Sequence, residues 1–282
     1  MSSRIAALAT YLGPDRNGNG VAIEPDHDEV GMGVRVAREV FAQLPQSSRA
    51  FDSIIFASSG IRQIFPSGGA AIAEALGISC QAFDVTAGCA SMSLAVEIGA
   101  QMMGSVLVVC SDLLSQTIDS ENPAHAPLRS FGDGAAALVI RRDSGPGLRI
   151  LAHSGKTLGR WRDFYGSKDG KLIRSIPAED KRDLSAAYLS CWTDIGRELL
   201  ERCPTGAVPW VYANQGDAKL FPQLMSALAL PEDRLVRTGH GHAGGADPWI
   251  GLQSNPLPHG GLAIVLASGI GFTFHGTLLG MA

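Results

Sequence analysis

The stretch that decides the fold runs from residue 83 to residue 103 and reads Phe-Asp-Val-Thr-Ala-Gly-Cys-Ala-Ser-Met-Ser-Leu-Ala-Val-Glu-Ile-Gly-Ala-Gln-Met-Met. Its apolar start predicts a strand that ends near Val85. After Cys89, apolar side chains recur at helical spacing, at Met92, Leu94, Ala95, Ile98, Met102 and Met103. The sequence therefore predicts that Cys89 lies at an elbow between a buried strand and a helix.

A cysteine at such an elbow suits nucleophilic catalysis. Unpaired backbone N–H groups in the first turn of a helix carry partial positive charge, which favours the thiolate. The same amides can stabilise an oxyanion on a carbonyl that the sulfur attacks. A buried structural cysteine is the alternative, because burial is the usual fate of this residue type. The small neighbours of Cys89 leave room for a ligand and favour acyl transfer without excluding that alternative: Ala87, Gly88, Ala90 and Ser91.

Composition narrows the class of protein. The 282 residues suffice for one large or two modest domains, and 45% hydrophobic with 18% charged residues predicts a large core. The net charge of −4 and the lack of a long basic run argue against nucleic acid as the main partner. No apolar run approaches a membrane span, and the first residues lack the apolar core of a signal peptide. We therefore expect a cytoplasmic protein without a membrane partner.

The five cysteines show neither a CxxC pair nor a metal-type spacing, so we expect reduced thiols and no metal. Apart from Cys89, none of them lies at an elbow of small residues, which predicts that the other four are core residues: Cys80, Cys110, Cys191 and Cys203. Several arginines cluster between Arg141 and Arg182. Their guanidinium groups suit either a phosphorylated cofactor or an acidic carrier, or they form a solvated surface.

The order of predicted elements occurs twice along the chain. In each half a buried strand ends at a glycine, and a helix and a second strand then lead to an elbow. A further strand and a glycine-containing turn precede the last strand. The matching segments are 54–60 with 210–216, 106–112 with 261–267, and 132–141 with 269–279. Strand–helix alternation implies mainly parallel, buried sheets covered by helices. We predict an α/β fold with two pseudo-duplicated halves, residues 1–147 and 148–282.

The duplication predicts a shared pocket. If a pseudo-twofold axis relates the halves, Cys89 and His242 occupy equivalent elbows that face each other across the axis, and Asn214 is the counterpart of Ser58. A cysteine and a histidine would then meet in one site. His275 alternates with two phenylalanines on the last strand, which places it either in this pocket or in the core.

Taken together, these residues resemble the thiolase superfamily, and within it the ketoacyl-synthase III-like enzymes. The likeness covers nearly the whole chain in the right order, and its motifs are specific as a set: Phe83-Asp-Val-Thr-Ala-Gly-Cys-Ala90, Phe131-Gly-Asp-Gly-Ala135, Asn214-Gln-Gly-Asp217, His240-Gly-His242 and Gly269-Ile-Gly-Phe-Thr273. The resemblance implies a layered α-β-α-β-α arrangement. It also implies enzymes that condense an acyl thioester with a malonyl thioester.

The resemblance assigns Cys89 as the acyl-accepting nucleophile and the amides of Cys89 and Gly271 as the oxyanion hole. The polar partners depart from the family pattern, because Asn214 stands where the family has histidine and His242 stands where it has asparagine. The pair is thus exchanged. Such an exchange either preserves the chemistry, because geometry and roles define a site, or marks a changed reaction.

A second departure is a shorter N-terminal half. Between the first strand and the strand at Ile54, a loop from Asp15 to Asp28 and one helix replace a longer family segment that helps bind coenzyme A. The donor arm is therefore either coenzyme A or the phosphopantetheine of a carrier protein. Phe65 matches a segment that reaches the dimer interface and the pocket, which predicts a homodimer and a substrate contact. Met92 and His275 are the other predicted substrate-binding side chains.

The leading functional hypothesis is an acyltransferase with an acyl-cysteine intermediate at Cys89. In this hypothesis a malonyl-type thioester, held by His242 and Asn214, takes the acyl group in a decarboxylative condensation of a specialised fatty-acid or polyketide-type pathway. Acyl transfer to oxygen or nitrogen, or thioester hydrolysis, is the alternative, with His242 as general base. A third possibility is a non-catalytic subunit of a heterodimeric ketosynthase. We expect no permanently bound cofactor.

Overall fold

The computed structural model describes residues 3–14, 20–60, 65–119 and 121–281, without the side chain of Asp217. Part of the predicted loop from Asp15 to Asp28, residues 15–19, lies outside the described residues. The strands are β1 (Arg4–Leu12), β2 (Ser53–Ser58), β3 (Gln81–Thr86), β4 (Val106–Leu113), β5 (Asp133–Arg141), β6 (Leu148–Thr157), β7 (Tyr165–Lys168), β8 (Lys171–Arg174), β9 (Trp210–Ala213), β10 (Leu235–Val236), β11 (Leu262–Gly269) and β12 (Thr273–Met281). The α-helices are α1 (Glu29–Ala42), α2 (Gly68–Leu76), α3 (Ser91–Gln101), α4 (Lys181–Leu200), α5 (Phe221–Ala227) and α6 (Asp247–Ser254).

Local chemistry explains where the first helices begin and end. The side chain of Asp28 caps α1 by accepting a hydrogen bond from the Gly31 amide, and Ser67 caps α2 in the same way through the Ala70 amide. Gly77 ends α2 with φ +66°, a left-handed conformation that glycine adopts without a steric penalty.

The strand order of the large sheet is symmetric about its centre. Its strand order is β10-β9-β11-β12-β6-β1-β5-β4-β2-β3, so β1 to β5 of the first half correspond in position to β6 and β9 to β12 of the second. The halves join where β1 and β6 pair over two residues, Arg4 and Ile5. Within each half the buried central strands run parallel, whereas the strands next to the junction are antiparallel.

The two halves of the sheet and the helices form five layers, which pack around three apolar cores. The central core contains side chains of α3 and α6, including Met92, Val96, Trp249 and Ile250. A second core lies beneath α1 and α2 in the first half, and a third lies beneath α4 and α5 in the second. The order helix, sheet, helix, sheet, helix confirms the predicted fold class. The division at residues 147 and 148 stays a prediction, although β6 begins at Leu148.

The sequence patterns above assign no element to residues 148–209, where the chain forms β6, the β7–β8 hairpin and α4. Helix α4 buries a stripe that includes Leu184, Trp192, Ile195 and Leu199, but polar residues interrupt its apolar pattern. None of the helices in the described part of the chain has the length and apolarity that crossing a bilayer would require.

A buried carboxylate anchors the loop between β1 and α1. Glu24 accepts hydrogen bonds from the Tyr11 hydroxyl, from the Asp26 and His27 amides and from the His27 ring. Burial alone raises the pKa of a carboxyl group, but these hydrogen bonds outweigh burial and lower the pKa of Glu24 to about 2. Its stabilisation is therefore present above the ordinary pKa of 4.5 and is lost as the pH falls toward about 2.

We expect Glu24→Gln to lower the free energy of unfolding at neutral pH by about 2 kcal/mol. The difference from wild type should shrink as the pH falls, because the wild-type carboxylate then gains its proton. Urea unfolding at several pH values measures both effects. Glu39→Gln is the matched control, since Glu39 pairs with Arg35 on the exposed face of α1. Equal losses in the two variants would contradict the prediction.

Candidate active site

The nucleophile elbow is built from close backbone contacts between the two halves. A Cβ atom on Gly88 would lie 2.5 Å from the Ile270 nitrogen, and one on Gly269 would lie 1.9 Å from the Ala87 oxygen. Gly88 also has φ +57°, so glycine is required there for both space and conformation. These contacts hold the Gly269–Gly271 turn, which follows β11, against the buried Cys89.

His242 is the side chain that completes a catalytic arrangement with Cys89. Its Nδ1 atom lies 2.7 Å from Asp247 Oδ2, which also accepts a hydrogen bond of 2.7 Å from the Gln215 amide. Because a carboxylate accepts, Nδ1 carries the proton, and the other ring nitrogen is left for a partner in the cavity, which Cys89 and His242 both line. Cys89, His242 and Asp247 therefore form a candidate triad.

Backbone from the first half fixes the position of His242. Its amide donates to the Ser130 oxygen, and its carbonyl accepts from the Gly132 amide, each at 2.8 Å. The ring of Phe131 packs edge-on against the imidazole with 4.7 Å between centroids. The Phe131–Gly134 motif is therefore structural, and it holds a catalytic side chain of the second half next to the nucleophile of the first.

The charge state of His242 follows from its neighbours. Burial opposes the imidazolium, but negative charge on Cys89 and the carboxylate of Asp247 outweigh it and hold the pKa of His242 well above its usual value. These two neighbours therefore favour the protonated form of the ring. It can give that proton to a leaving group.

Asn214 lies in the cavity wall, but backbone groups already bond both ends of its amide. Its Nδ2 atom donates to the Gly244 oxygen at 3.0 Å, and its Oδ1 atom accepts from the Ser268 amide at 2.7 Å. One amide hydrogen remains for a substrate. This bonding braces the loop that carries His242 against β11, so the predicted carbonyl contact of Asn214 stays a prediction.

Two residues that the sequence patterns did not single out extend the site behind the sulfur. Ser59 Oγ lies 3.3 Å from Cys89 Sγ and 2.8 Å from Asp112 Oδ2. The buried carboxylate of Asp112 also accepts hydrogen bonds from the Ser59 and Gly245 amides at 2.6 and 2.7 Å. Ser59 and Asp112 thus link β2, β4 and the loop after His242 around the nucleophile.

Three predicted substrate-binding residues lie elsewhere. Met92 is fully buried in the central core, and His275 is 3% exposed and bonded to Glu97. Neither is among the described residues that line the cavity, because helix α3 turns Met92 into the core and strand β12 turns His275 toward α3. Their contact with substrate stays a prediction. Phe65 is 87% exposed and lies just before α2, away from this cavity.

Gly271, the second predicted oxyanion donor, has φ +90° in the turn that contacts the elbow. Its neighbours Ile270 and Phe272 line the cavity together with Cys89. The oxyanion role of the Cys89 and Gly271 amides stays a prediction, which the position of this turn supports.

A cavity of about 210 Å³ leads from Cys89 to the surface. Beside Cys89, His242 and Asn214 it is lined by aromatic and apolar side chains, among them Phe131, Tyr165, Leu184, Tyr188 and Phe272. Three cations also line it, and two of them are exposed: Arg174, Lys181 and Lys219. A narrow apolar passage with a reactive thiol at one end and positive charge toward solvent suits a long arm that carries a phosphate.

Asp247 could not be recognised from the sequence. An acidic residue in the first turn of a helix is common, because it interacts favourably with the helix dipole. Asp247 follows His242 by five residues. The contact between the two side chains depends on the loop and 3₁₀ turn that separate them, which only the folded chain defines.

Known proteins share both the fold and part of the sequence. The family model for 3-oxoacyl-[acyl-carrier-protein] synthase III matches residues 83–159, the segment that contains Cys89. Beta-ketoacyl-[acyl-carrier-protein] synthase III of Serratia proteamaculans is 26% identical over 90% of this chain and 84% of its own length. The corresponding protein of Sodalis glossinidius is 28% identical over 90% and 84%.

Solved structures give the same result for the fold. The 3-oxoacyl-[acyl-carrier-protein] synthase III of Aquifex aeolicus superposes with a TM-score of 0.86 at 22% identity and covers 99% of both chains. A variant of OleA from Xanthomonas campestris superposes with a TM-score of 0.83 at 16% identity, covering 99% of this chain and 98% of its own.

The fold and the cysteine elbow define the class, a thiolase-like α/β protein with Cys89 between a parallel strand and a central helix. In sequence the chain is similar to the beta-ketoacyl-[acyl-carrier-protein] synthase III proteins. Its named relatives are transferases, in agreement with the predicted enzyme class.

Proposed function

We propose that this protein is an acyltransferase that works through an acyl-Cys89 intermediate and passes the acyl group to a second substrate. The observation that carries the proposal is that Cys89 and His242 line one cavity, while Asp247 Oδ2 lies 2.7 Å from Nδ1 of the His242 ring. A structural cysteine needs no such partners. The same observation argues against a non-catalytic subunit.

In the first step the Cys89 sulfur attacks the carbonyl carbon of an acyl thioester. The backbone amides at the elbow and the Gly271 turn would face the oxyanion. The carbon–sulfur bond of the donor then breaks, and its thiol leaves with the proton of the His242 imidazolium. The products are acyl-Cys89, a free donor thiol and a neutral His242.

The second step favours an acceptor that carries a proton on oxygen or nitrogen. Neutral His242, oriented by Asp247, takes the proton from the acceptor, which attacks the acyl carbonyl. The bond to Cys89 breaks, and the proton taken from the acceptor stays between the Cys89 sulfur and His242, which regenerates the starting site. This acceptor is the alternative from the sequence analysis, and two features support it: the acid–base partner Asp247 and the engagement of Asn214 with backbone.

Decarboxylative condensation is the second candidate, and the names of the relatives support it. Here the His242 imidazolium and the remaining amide hydrogen of Asn214 would hold the thioester carbonyl of a malonyl group. The donor arm in either case is coenzyme A or a carrier-protein phosphopantetheine, and Arg174, Lys181 and Lys219 would face its phosphate. One neighbouring structure, of OleA, contains lauroyl-CoA.

The homodimer stays a prediction. The outer strand β3 has a neighbour on one side only within the large sheet, and Phe65 is exposed beside the start of α2. Both features suit contact with a second copy.

Intact-protein mass spectrometry tests the proposal. Wild-type protein incubated with a panel of acyl-coenzyme A and acyl-carrier thioesters should gain the mass of one acyl group. We expect alcohols or amines to discharge this adduct, and discharge by a malonyl thioester with release of carbon dioxide would establish condensation instead. No adduct from any donor would overturn the acyltransferase proposal.

A further inference from the structure

Outside the catalytic cavity, three ligand-type side chains meet between α3 and the second half of the sheet. They are Glu97 on α3, His153 on β6 and His275 on β12. One side-chain ligand atom from each lies within 4.8 Å of the others. They are far apart in sequence, so no short sequence motif indicates them.

Strand register explains the meeting of the two histidines. His153 is directly opposite Thr277, and His275 is opposite Gly155, so His153, Thr277 and His275 lie on one face of the β6–β12 pair. Gly155 has no side chain to fill the space next to His275; a Cβ there would be 3.4 Å from its ring. Glu97 of α3 reaches this space from the opposite side.

Each imidazole is oriented through one nitrogen and has the other unpartnered. His153 Nδ1 lies 3.1 Å from Thr277 Oγ1, and His275 Nε2 lies 2.6 Å from Glu97 Oε2. His153 Nε2 and His275 Nδ1 are buried and have no hydrogen-bond partner among the described residues. Such a buried polar atom is costly, and His275 is only 3% exposed.

We propose that Glu97, His153 and His275 form a binding site for one zinc ion. Two imidazoles and a carboxylate are a recurring zinc donor set, with water as the fourth ligand. The Glu97 side chain is 31% exposed, which gives the ion and this water access. Thr277 holds the His153 ring in the manner of an outer-sphere partner.

Zinc binding requires small adjustments of the side chains. Tetrahedral bonds of about 2.0–2.1 Å place ligand atoms about 3.3 Å apart. The pair His275 Nε2 and Glu97 Oε2, now 2.6 Å apart, must therefore separate slightly, whereas ligand atoms up to 4.8 Å apart must approach each other. If the metal binds His275 through Nε2, the proton that Nε2 donates to Glu97 moves to Nδ1, so the ring stays neutral. The ion would then join α3, the helix that follows Cys89, to the strands of the second half.

The site is independent of the proposed acyl transfer, since none of its three ligands is among the described residues that line the catalytic cavity. Cys89 and His242 could themselves bind zinc, and the test must remove this competition. All measurements are therefore made in a Cys89→Ala background after treatment with a chelator.

Calorimetry with zinc chloride should show one ion per chain, and saturating zinc should raise Tm by about 5 °C. Cobalt(II) should give the intense visible absorption of a tetrahedral site. We expect Glu97→Gln and His153→Gln each to weaken binding about 100-fold or more, and Thr277→Val to weaken it by about 10- to 100-fold. Glu97→Gln retains an acceptor for His275, which protects the fold.

The control is His259→Gln, an exposed histidine outside the cluster, which should bind zinc as the background protein does. Absence of zinc binding, or equal binding by the cluster variants and the control, would overturn the proposal. Should either ligand variant fail to fold, Thr277→Val still tests the proposal, because it removes no ligand. Zinc binding as tight as in the background protein would then overturn the proposal.

Discussion

Replacing Cys89 with alanine is expected to eliminate the acyl adduct and to lower turnover by a factor of about 10⁴ or more. The sulfur is the atom that forms and breaks bonds in both steps, and Cys89 lines the same cavity as His242. The cavity and its cations remain in the variant. Donor binding should therefore survive while chemistry stops.

Mass spectrometry after incubation with an acyl thioester measures the adduct, and steady-state kinetics measure turnover. Cys80→Ala is the control, because Cys80 lies outside the cavity and its sulfur contacts the Gln81 carbonyl. An acyl adduct of undiminished yield on Cys89→Ala, on Ser59 for example, would show that the nucleophile has been misassigned.

Replacing Asp247 with asparagine should lower kcat about 10²- to 10⁴-fold with a smaller effect on KM. The carboxylate accepts the Nδ1 proton of His242, whereas an amide can present its NH₂ group and favour the wrong tautomer. The fold should tolerate this nearly isosteric change, although an NH₂ group in the position of Oδ2 also loses the hydrogen bond from the Gln215 amide.

The same change has a predicted pH signature. Asp247 is one of the groups that hold the pKa of His242 above its usual value, so its removal lowers that pKa. His242 then loses its proton at lower pH than in wild type, and the neutral ring no longer places a positive charge beside the Cys89 sulfur. Alkylation of Cys89 by iodoacetamide should become slower at neutral pH in Asp247→Asn.

Asp233→Asn, at an exposed position of the turn before β10, is the charge-matched control and should leave both kcat and the alkylation profile unchanged. An unchanged kcat in Asp247→Asn would mean that the His242–Asp247 contact has no catalytic role. The condensation candidate would then become the better one.

Local sequence patterns were sufficient to predict most elements of the first half. The strand at Ile54, the elbow at Cys89 and the turn at Gly132 each depend on short-range signals: an apolar run, a change from strand to helical spacing, and a glycine. Helix α4 and hairpin β7–β8 were not predicted, because their apolar positions are diluted by polar ones and are explained only by the core they cover.

By itself, the sequence determined the class of fold, its duplication, and the meeting of Cys89 with His242, because periodicity and repeated order along the chain reflect which faces must be buried. Only the tertiary structure decided which other groups surround that pair. Asp247, Ser59 and Asp112 approach the site through loop and strand geometry. The cluster of Glu97, His153 and His275 requires a helix of one half to pack on strands of the other. Distances between residues remote in the chain arise from packing, for which a single sequence carries no local signal.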